Sequence, residues 1–153
     1  MKYLIASDLH GSGSCTRQLL ERFAAEGADM LVLLGDLLYH GPRNNLPGEY
    51  DPKIVSALLN EHKEHIIAVR GNCEAEVDQM MLEFPCMADY TYLWLENTPV
   101  FVTHGHRYMN PGSTTLPKQG SPQSYMLIDG NDVYWKHLAD GTVYMQDVLN
   151  KEE

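Results

Sequence analysis

Positive charge is scarce in this chain, with 11 Lys and Arg set against 21 Asp and Glu for a net charge of −10. Stable nucleic-acid binding is therefore not expected, because that affinity comes from cations neutralising phosphates. Cysteine is scarce as well, with only Cys15, Cys73 and Cys86, which lack metal-clip spacing. Reduced thiols and a cytoplasmic location are the expectation. No apolar run approaches the roughly 20 residues that a membrane helix needs, so no membrane partner is expected. The N-terminal apolar run reaches Asp8 after a few residues and reads as a strand rather than a secretion signal. Repeats, low-complexity tracts and linkers are lacking too, and residues 1–153 read as a single domain large enough for a real core. An anionic substrate would need local positive charge, which a bound metal could supply.

What is present begins with Tyr3-Leu4-Ile5-Ala6-Ser7-Asp8-Leu9-His10-Gly11. A short apolar strand ends in an Asp and a His two residues apart, and in extended backbone such residues point the same way. A carboxylate and an imidazole converging on one point suit Mn, Fe or Zn. Gly11, Ser12 and Gly13 let the chain turn tightly beside that point.

The first half alternates strands and helices. A helix is predicted over Cys15 to Glu26 with Gly27 as its stop, followed by a buried strand over Met30 to Leu34. The loop from His40 to Asp51 is long enough to line a site, and Pro52 opens the next helix. His65 to Val69 is a third buried strand, ending in Arg70-Gly71-Asn72-Cys73-Glu74, and a short helix is expected over Ala75 to Leu82. The second half changes character. Met87 to Leu95 places Tyr90, Tyr92 and Trp94 on one face of a strand, Asn97 marks a turn, and Val100 to Thr103 is another strand. From Gln123 onward the pattern is antiparallel, with turns expected at Asp129-Gly130 and Asp140-Gly141.

Asp8, His10, Asp36, Asn72 and His104 all follow apolar strands at their C-terminal ends. In open α/β sheets those ends are where ligands bind. Asp36 has two oxygens and can bridge two cations, while Asn72 offers a neutral carbonyl oxygen. Two metals roughly 3.5–4 Å apart would clamp a phosphate and make hydroxide available at neutral pH. The five residues together read as one site.

Ser-Asp-Leu-His-Gly at 7–11, Leu-Gly-Asp at 34–36, Arg-Gly-Asn-Cys-Glu at 70–74 and Thr-His-Gly-His at 103–106 resemble the calcineurin-like metallophosphoesterase superfamily. Tyr-His-Gly-Pro-Arg-Asn at 39–44 and Asn-Pro-Gly-Ser at 110–113 narrow the resemblance to its small bacterial phosphodiesterases. The resemblance implies a four-layer αββα sandwich and hydrolysis of a small-molecule phosphodiester by a metal-held hydroxide. It also implies two divalent metals, with Mn expected first and Zn, Fe, Ni or Mg as alternatives. By resemblance Asp8 and His10 bind one metal, Asp36 bridges, and Asn72 and His104 bind the other; Asp36, Asn72 and His104 are the catalytic candidates. Cys73 stands where many relatives carry a His that assists the leaving group.

The chain departs from the family pattern after His106. Only Arg107, Tyr108 and Met109 separate it from Asn110, so a Gly-His-x-His segment giving one His to each metal is absent. His62, His65 and His137 do not replace it by pattern, and His40 lies on the loop over the site. Partial metal occupancy and a second sheet lacking some strands are therefore expected. A homo-oligomer that pairs the vacated strand edge is a further expectation. Two functions follow: a dinuclear-metal phosphodiesterase, or an impaired fold serving as a protein-interaction module.

Overall fold

The computed structural model describes residues 1–95, 98–105, 111–118 and 120–149. Along the chain run β1 (Lys2–Ala6), α1 (Gly13–Glu26), β2 (Met30–Leu33), α2 (Pro52–Asn60), β3 (Ile66–Ala68) and α3 (Glu76–Met81). Then follow β4 (Thr91–Leu95), β5 (Thr98–Val102), β6 (Ser124–Asp129), β7 (Asp132–His137) and β8 (Val143–Val148). Six strands form one sheet in the order β3-β2-β1-β6-β7-β8, and β4-β5 form a second, two-stranded sheet. The β3-β2-β1 half is parallel and the β1-β6-β7-β8 half antiparallel. This is the α/β architecture expected, with the second sheet reduced.

The faces follow from strand alternation. In β1, Leu4 and Ala6 pack with Leu19, Phe23, Val55 and Leu59 of α1 and α2. Tyr3 and Ile5 point the other way, toward Leu93, Leu95 and Val102 of the β4-β5 hairpin. Being covered on both sides is why β1 and β2 read as unbroken apolar runs. The helices therefore form one layer, the large sheet the next, and the hairpin a third. The hairpin is too narrow to cover its side of the sheet. A cleft of about 350 Å³, lined by Ile5, Leu34, Val100, Val102, Met126 and Ile128, opens beside β5.

Several predicted boundaries shift for local reasons. Helix α1 begins at Gly13, not Cys15, because the Ser12 hydroxyl accepts the Cys15 N–H at 3.3 Å and caps the first turn. Asp51 caps α2 in the same way, and Gly27 closes α1 at φ 59° as expected. His65 lies in a short 3-10 turn, so β3 starts one residue later. The strand predicted from Met87 starts only at Thr91, because the preceding segment is held elsewhere: the Arg70 N–H donates to the Ala88 carbonyl at 2.8 Å. Asp129 pairs directly with Asp132, so the tight turn is Gly130-Asn131 rather than Asp129-Gly130. The turn predicted at Asn97 and the junction 106–110 lie outside the described residues.

Candidate metal centre

Three loops leave the carboxyl ends of β1, β2 and β3 and lock together through their backbones. The Asp8 N–H donates to the Gly35 carbonyl (3.1 Å), His10 to Asp36 (2.8 Å) and Gly11 to Leu37 (2.9 Å). Glycine is required where the loops touch. A Cβ on Gly35 would sit 2.1 Å from the Gly71 nitrogen, and one on Gly71 would sit 2.3 Å from Asp36 Oδ1. Asp8, His10 and Asp36 themselves have φ of 61°, 47° and 55°, in the left-handed region that non-glycine residues seldom adopt. The loop after residue 110 is fastened on from the other side, Thr115 donating its hydroxyl to the Leu9 carbonyl at 2.9 Å.

All five predicted residues converge. His10 Nε2 lies 3.3 Å from Asp8 Oδ1 and 3.9 Å from Asp36 Oδ2. His104 Nε2 lies 3.7 Å from Asp36 Oδ2 and 3.1 Å from Asn72 Oδ1. Asp36 thus stands between two imidazoles, and it is buried. Both rings are oriented from behind: His10 Nδ1 contacts the Tyr39 carbonyl at 2.9 Å and His104 Nδ1 the Leu34 carbonyl at 2.6 Å. A carbonyl can only accept, so each Nδ1 carries a proton and each Nε2 is turned toward the site. Each Nε2 faces oxygen atoms, of Asp8 and Asp36 for His10 and of Asp36 and Asn72 for His104. A proton or a cation at that point satisfies both sides, so the donor set fits metal ions.

The electrostatics agree. Burial alone would push the Asp8 carboxyl up, but hydrogen bonding, chiefly from His10, outweighs it and holds the group below its ordinary value. Burial works against the His10 cation, yet the Asp8 carboxylate, the Tyr39 carbonyl and the Asp36 charge raise its pKa. The pocket thus favours positive charge at the point where Asp8 and His10 meet.

Beside Cys73, which the sequence singles out, residues that sequence reasoning missed act on this centre. Glu74 accepts the backbone N–H groups of Asp36 (2.9 Å), Leu37 (2.7 Å) and Gly71 (2.6 Å), clamping the second and third loops together. Burial raises its pKa, the three N–H groups opposing and the Asp36 charge reinforcing. Cys73 donates its N–H to Asp36 Oδ1 at 2.8 Å, and burial together with the Asp36 charge pushes its thiol up to about 12. Ring nitrogen of His10, oxygen of Asp36 and sulfur of Cys73 lie within 4.8 Å of one another, as do ligand atoms of Asp8, Asp36 and His104. Arg43 and Lys118 line the same small cleft, from the loops on either side. His40 stays out of it, its ring edge-on to Tyr39 and Tyr50 at 4.7 and 5.3 Å. His62, His65 and His137 are likewise away from the site, as expected.

Carboxylates, imidazoles and an amide gathered at the strand ends of an α/β sandwich define a metal-dependent phosphoester hydrolase. Residues 1–147 match the calcineurin-like phosphoesterase family, and the chain belongs to it. Family membership implies divalent-metal binding. Phosphodiesterase YfcE of Escherichia coli strain K12 is 40% identical over 182 positions, covering 98% of this chain and 99% of the relative. Its solved structure superposes with a TM-score of 0.93, covering 98% of this chain and 100% of that one. An archaeal phosphodiesterase at 18% identity and a TM-score of 0.61, with 97% of this chain and 100% of that one covered, shares the fold. An alignment of 182 positions against 153 residues leaves at least 29 positions of the relative without a counterpart here. That shortfall accords with the narrow second sheet. No helix among the described residues is long and apolar enough to cross a membrane.

Proposed function

We propose that this chain is a phosphodiesterase working with two divalent metal ions, held by Asp8, His10, Asp36, Asn72 and His104 with Asp36 shared between them. The observation that carries the reading is convergence: His10 Nε2 stands 3.3 Å from Asp8 Oδ1 and His104 Nε2 3.1 Å from Asn72 Oδ1, with Asp36 Oδ2 within 3.9 Å of both rings. When bound, the ions supply Lewis acidity toward the phosphoryl oxygens and hydroxide at neutral pH. The Tyr39 and Leu34 carbonyls fix the two imidazole tautomers, so no rotation is needed on binding. The Asp36 carboxylate lowers the repulsion between two like-charged ions at close range. Arg43 and Lys118 flank the cleft and would hold the phosphoryl oxygens of a small anionic phosphodiester. With mainly oxygen and imidazole donors, Mn is the first expectation, ahead of Zn, Fe, Ni or Mg.

The test is hydrolysis of bis(4-nitrophenyl) phosphate by purified protein with added manganese. Turnover should vanish with a chelator and fall at least about 100-fold in Asp36→Asn, which keeps the shape but removes the shared charge. Turnover that survives both would overturn the reading. One observation favours a second function, an interaction module. The outer face of the hairpin exposes Tyr90, Tyr92, Trp94 and Phe101 together, each more than half accessible. An apolar patch of that kind marks contact with another protein, here a second copy. Metal uptake without turnover would favour that function.

A further inference from the structure

We infer that the sulfur of Cys73 is a ligand of the metal ion held by His10 and Asp36, making that position a nitrogen, oxygen and sulfur site suited to zinc. The inference rests on the two-metal reading above and specifies one of its two positions. Its geometric basis is the grouping of His10 nitrogen, Asp36 oxygen and Cys73 sulfur within 4.8 Å of one another. Ligand atoms about 2.0–2.3 Å from one tetrahedral ion stand roughly 3.3–3.8 Å apart, so closure needs the three atoms to draw in by up to about 1.5 Å.

The sulfur is held in place from three directions. Its own backbone N–H is tied to Asp36 Oδ1 at 2.8 Å, which fixes the Cα relative to the shared carboxylate. The Asn72 side-chain amide donates to the sulfur at 3.2 Å while its oxygen faces His104. A hydrogen bond from a neighbouring amide is the kind of support that orients a ligating thiolate. Gly41 lies beside the sulfur, where a Cβ would be in ordinary van der Waals contact with it at 3.4 Å.

Donor type points the same way. Cys73 would add a sulfur to the His10 nitrogen and the Asp36 oxygen. On binding, the S–H bond breaks, its proton passes to solvent, and the sulfur lone pair forms the bond to the ion. Thiolate is a soft donor that Mn and Mg bind poorly, so this position would favour zinc, and manganese stays the first expectation only at the Asn72 and His104 position.

Cobalt(II) titration of the metal-free protein tests the inference without relying on turnover. The expected result is an intense near-ultraviolet sulfur-to-cobalt charge-transfer band, lost in Cys73→Ser and retained in Cys86→Ser, whose sulfur is buried elsewhere. Zinc affinity should also fall at least about 10-fold in Cys73→Ser. Cobalt uptake by the wild-type protein with weak d–d bands alone would overturn the sulfur ligand and leave the two-metal reading standing. A band that survives Cys73→Ser would overturn it equally. No cobalt uptake by the wild-type protein would overturn both.

Discussion

The backbone N–H of Asp36 donates to Glu74 Oε2 at 2.9 Å, joining two residues 38 positions apart in the chain. Glu74 also takes the N–H groups of Leu37 and Gly71, so one buried carboxylate holds the Asp36 and Asn72 loops in register. Glu74→Ala would leave three buried donors unpaired, at about 1–3 kcal/mol each if no water replaces the carboxylate. Urea unfolding should register a loss of at least about 2 kcal/mol. Metal affinity, measured by competition with a chromogenic chelator, should fall about 10–100-fold, as for other groups that support ligands from behind. An unchanged affinity would separate Glu74 from the site.

A pH dependence is expected far from the site, at Glu26. Its carboxylate accepts the Tyr125 hydroxyl at 2.7 Å and is paired with Lys136. Burial alone would raise its pKa, but the hydrogen bonds from Lys136 and Tyr125 bring it below the ordinary 4.5. A carboxyl depressed in the folded state contributes stability that is present above its unfolded pKa. That stability is lost as pH falls from about 4.5 through the folded value. Glu26→Gln should lower stability by roughly 2 kcal/mol at neutral pH and flatten the acid limb of a thermal melt series. An acid limb as steep as the parent's would count against this.

Arg43 and Lys118 should act on substrate and little on the fold. Neither is in an ion pair among the described residues, although the chain carries a net charge of −10. Both line the cleft that holds Asp8, Asp36 and Asn72. Arg43→Ala and Lys118→Ala should each raise KM about 10-fold, near 1.4 kcal/mol, with kcat changed far less. Rising salt should erase much of the difference between parent and variant, since exposed charges are screened.

The aromatic face of the hairpin predicts self-association. Tyr90 stacks on Phe101 at 5.2 Å and Tyr92 meets Phe101 edge-on at 5.4 Å, an apolar surface in an otherwise charged chain. Analytical ultracentrifugation should find a species heavier than 17.3 kDa at micromolar concentration. Trp94→Ser combined with Phe101→Ser should return it to the monomer. A parent that sediments as a monomer would remove the case for an interaction surface here.

The large sheet was legible in the sequence because β1, β2 and β3 are apolar runs that end in polar residues. Their parallel pairing follows from crossovers that carry α1 and α2. Asp8, His10, Asp36, Asn72 and His104 could be gathered for the same reason, each lying just beyond a strand. What could not be read were contacts made through backbone groups or by reach across loops. Glu74 binds three N–H groups, and nothing in its neighbours' identity announces that. Lys118 lies beyond the Asn-Pro-Gly-Ser stretch at 110–113, which does not point to it, and the proximity of the Cys73 sulfur to His10 depends on loop curvature. The boundaries of α1 and β4 moved because one serine hydroxyl and one carbonyl, Ser12 and Ala88, found partners that periodicity ignores.

The left-handed backbone at Asp8, His10 and Asp36 sets foldedness against chemistry. Each such residue carries roughly 1 kcal/mol or more of strain that glycine at the same position would not. Replacing Asp8 by glycine would relieve that strain while deleting a carboxylate of the centre. Selection for thermal robustness alone would therefore erode this centre one residue at a time. A laboratory lineage evolved only to survive heat should lose metal uptake early, and its surviving descendants would be sturdier, chemically silent copies of the same sheet.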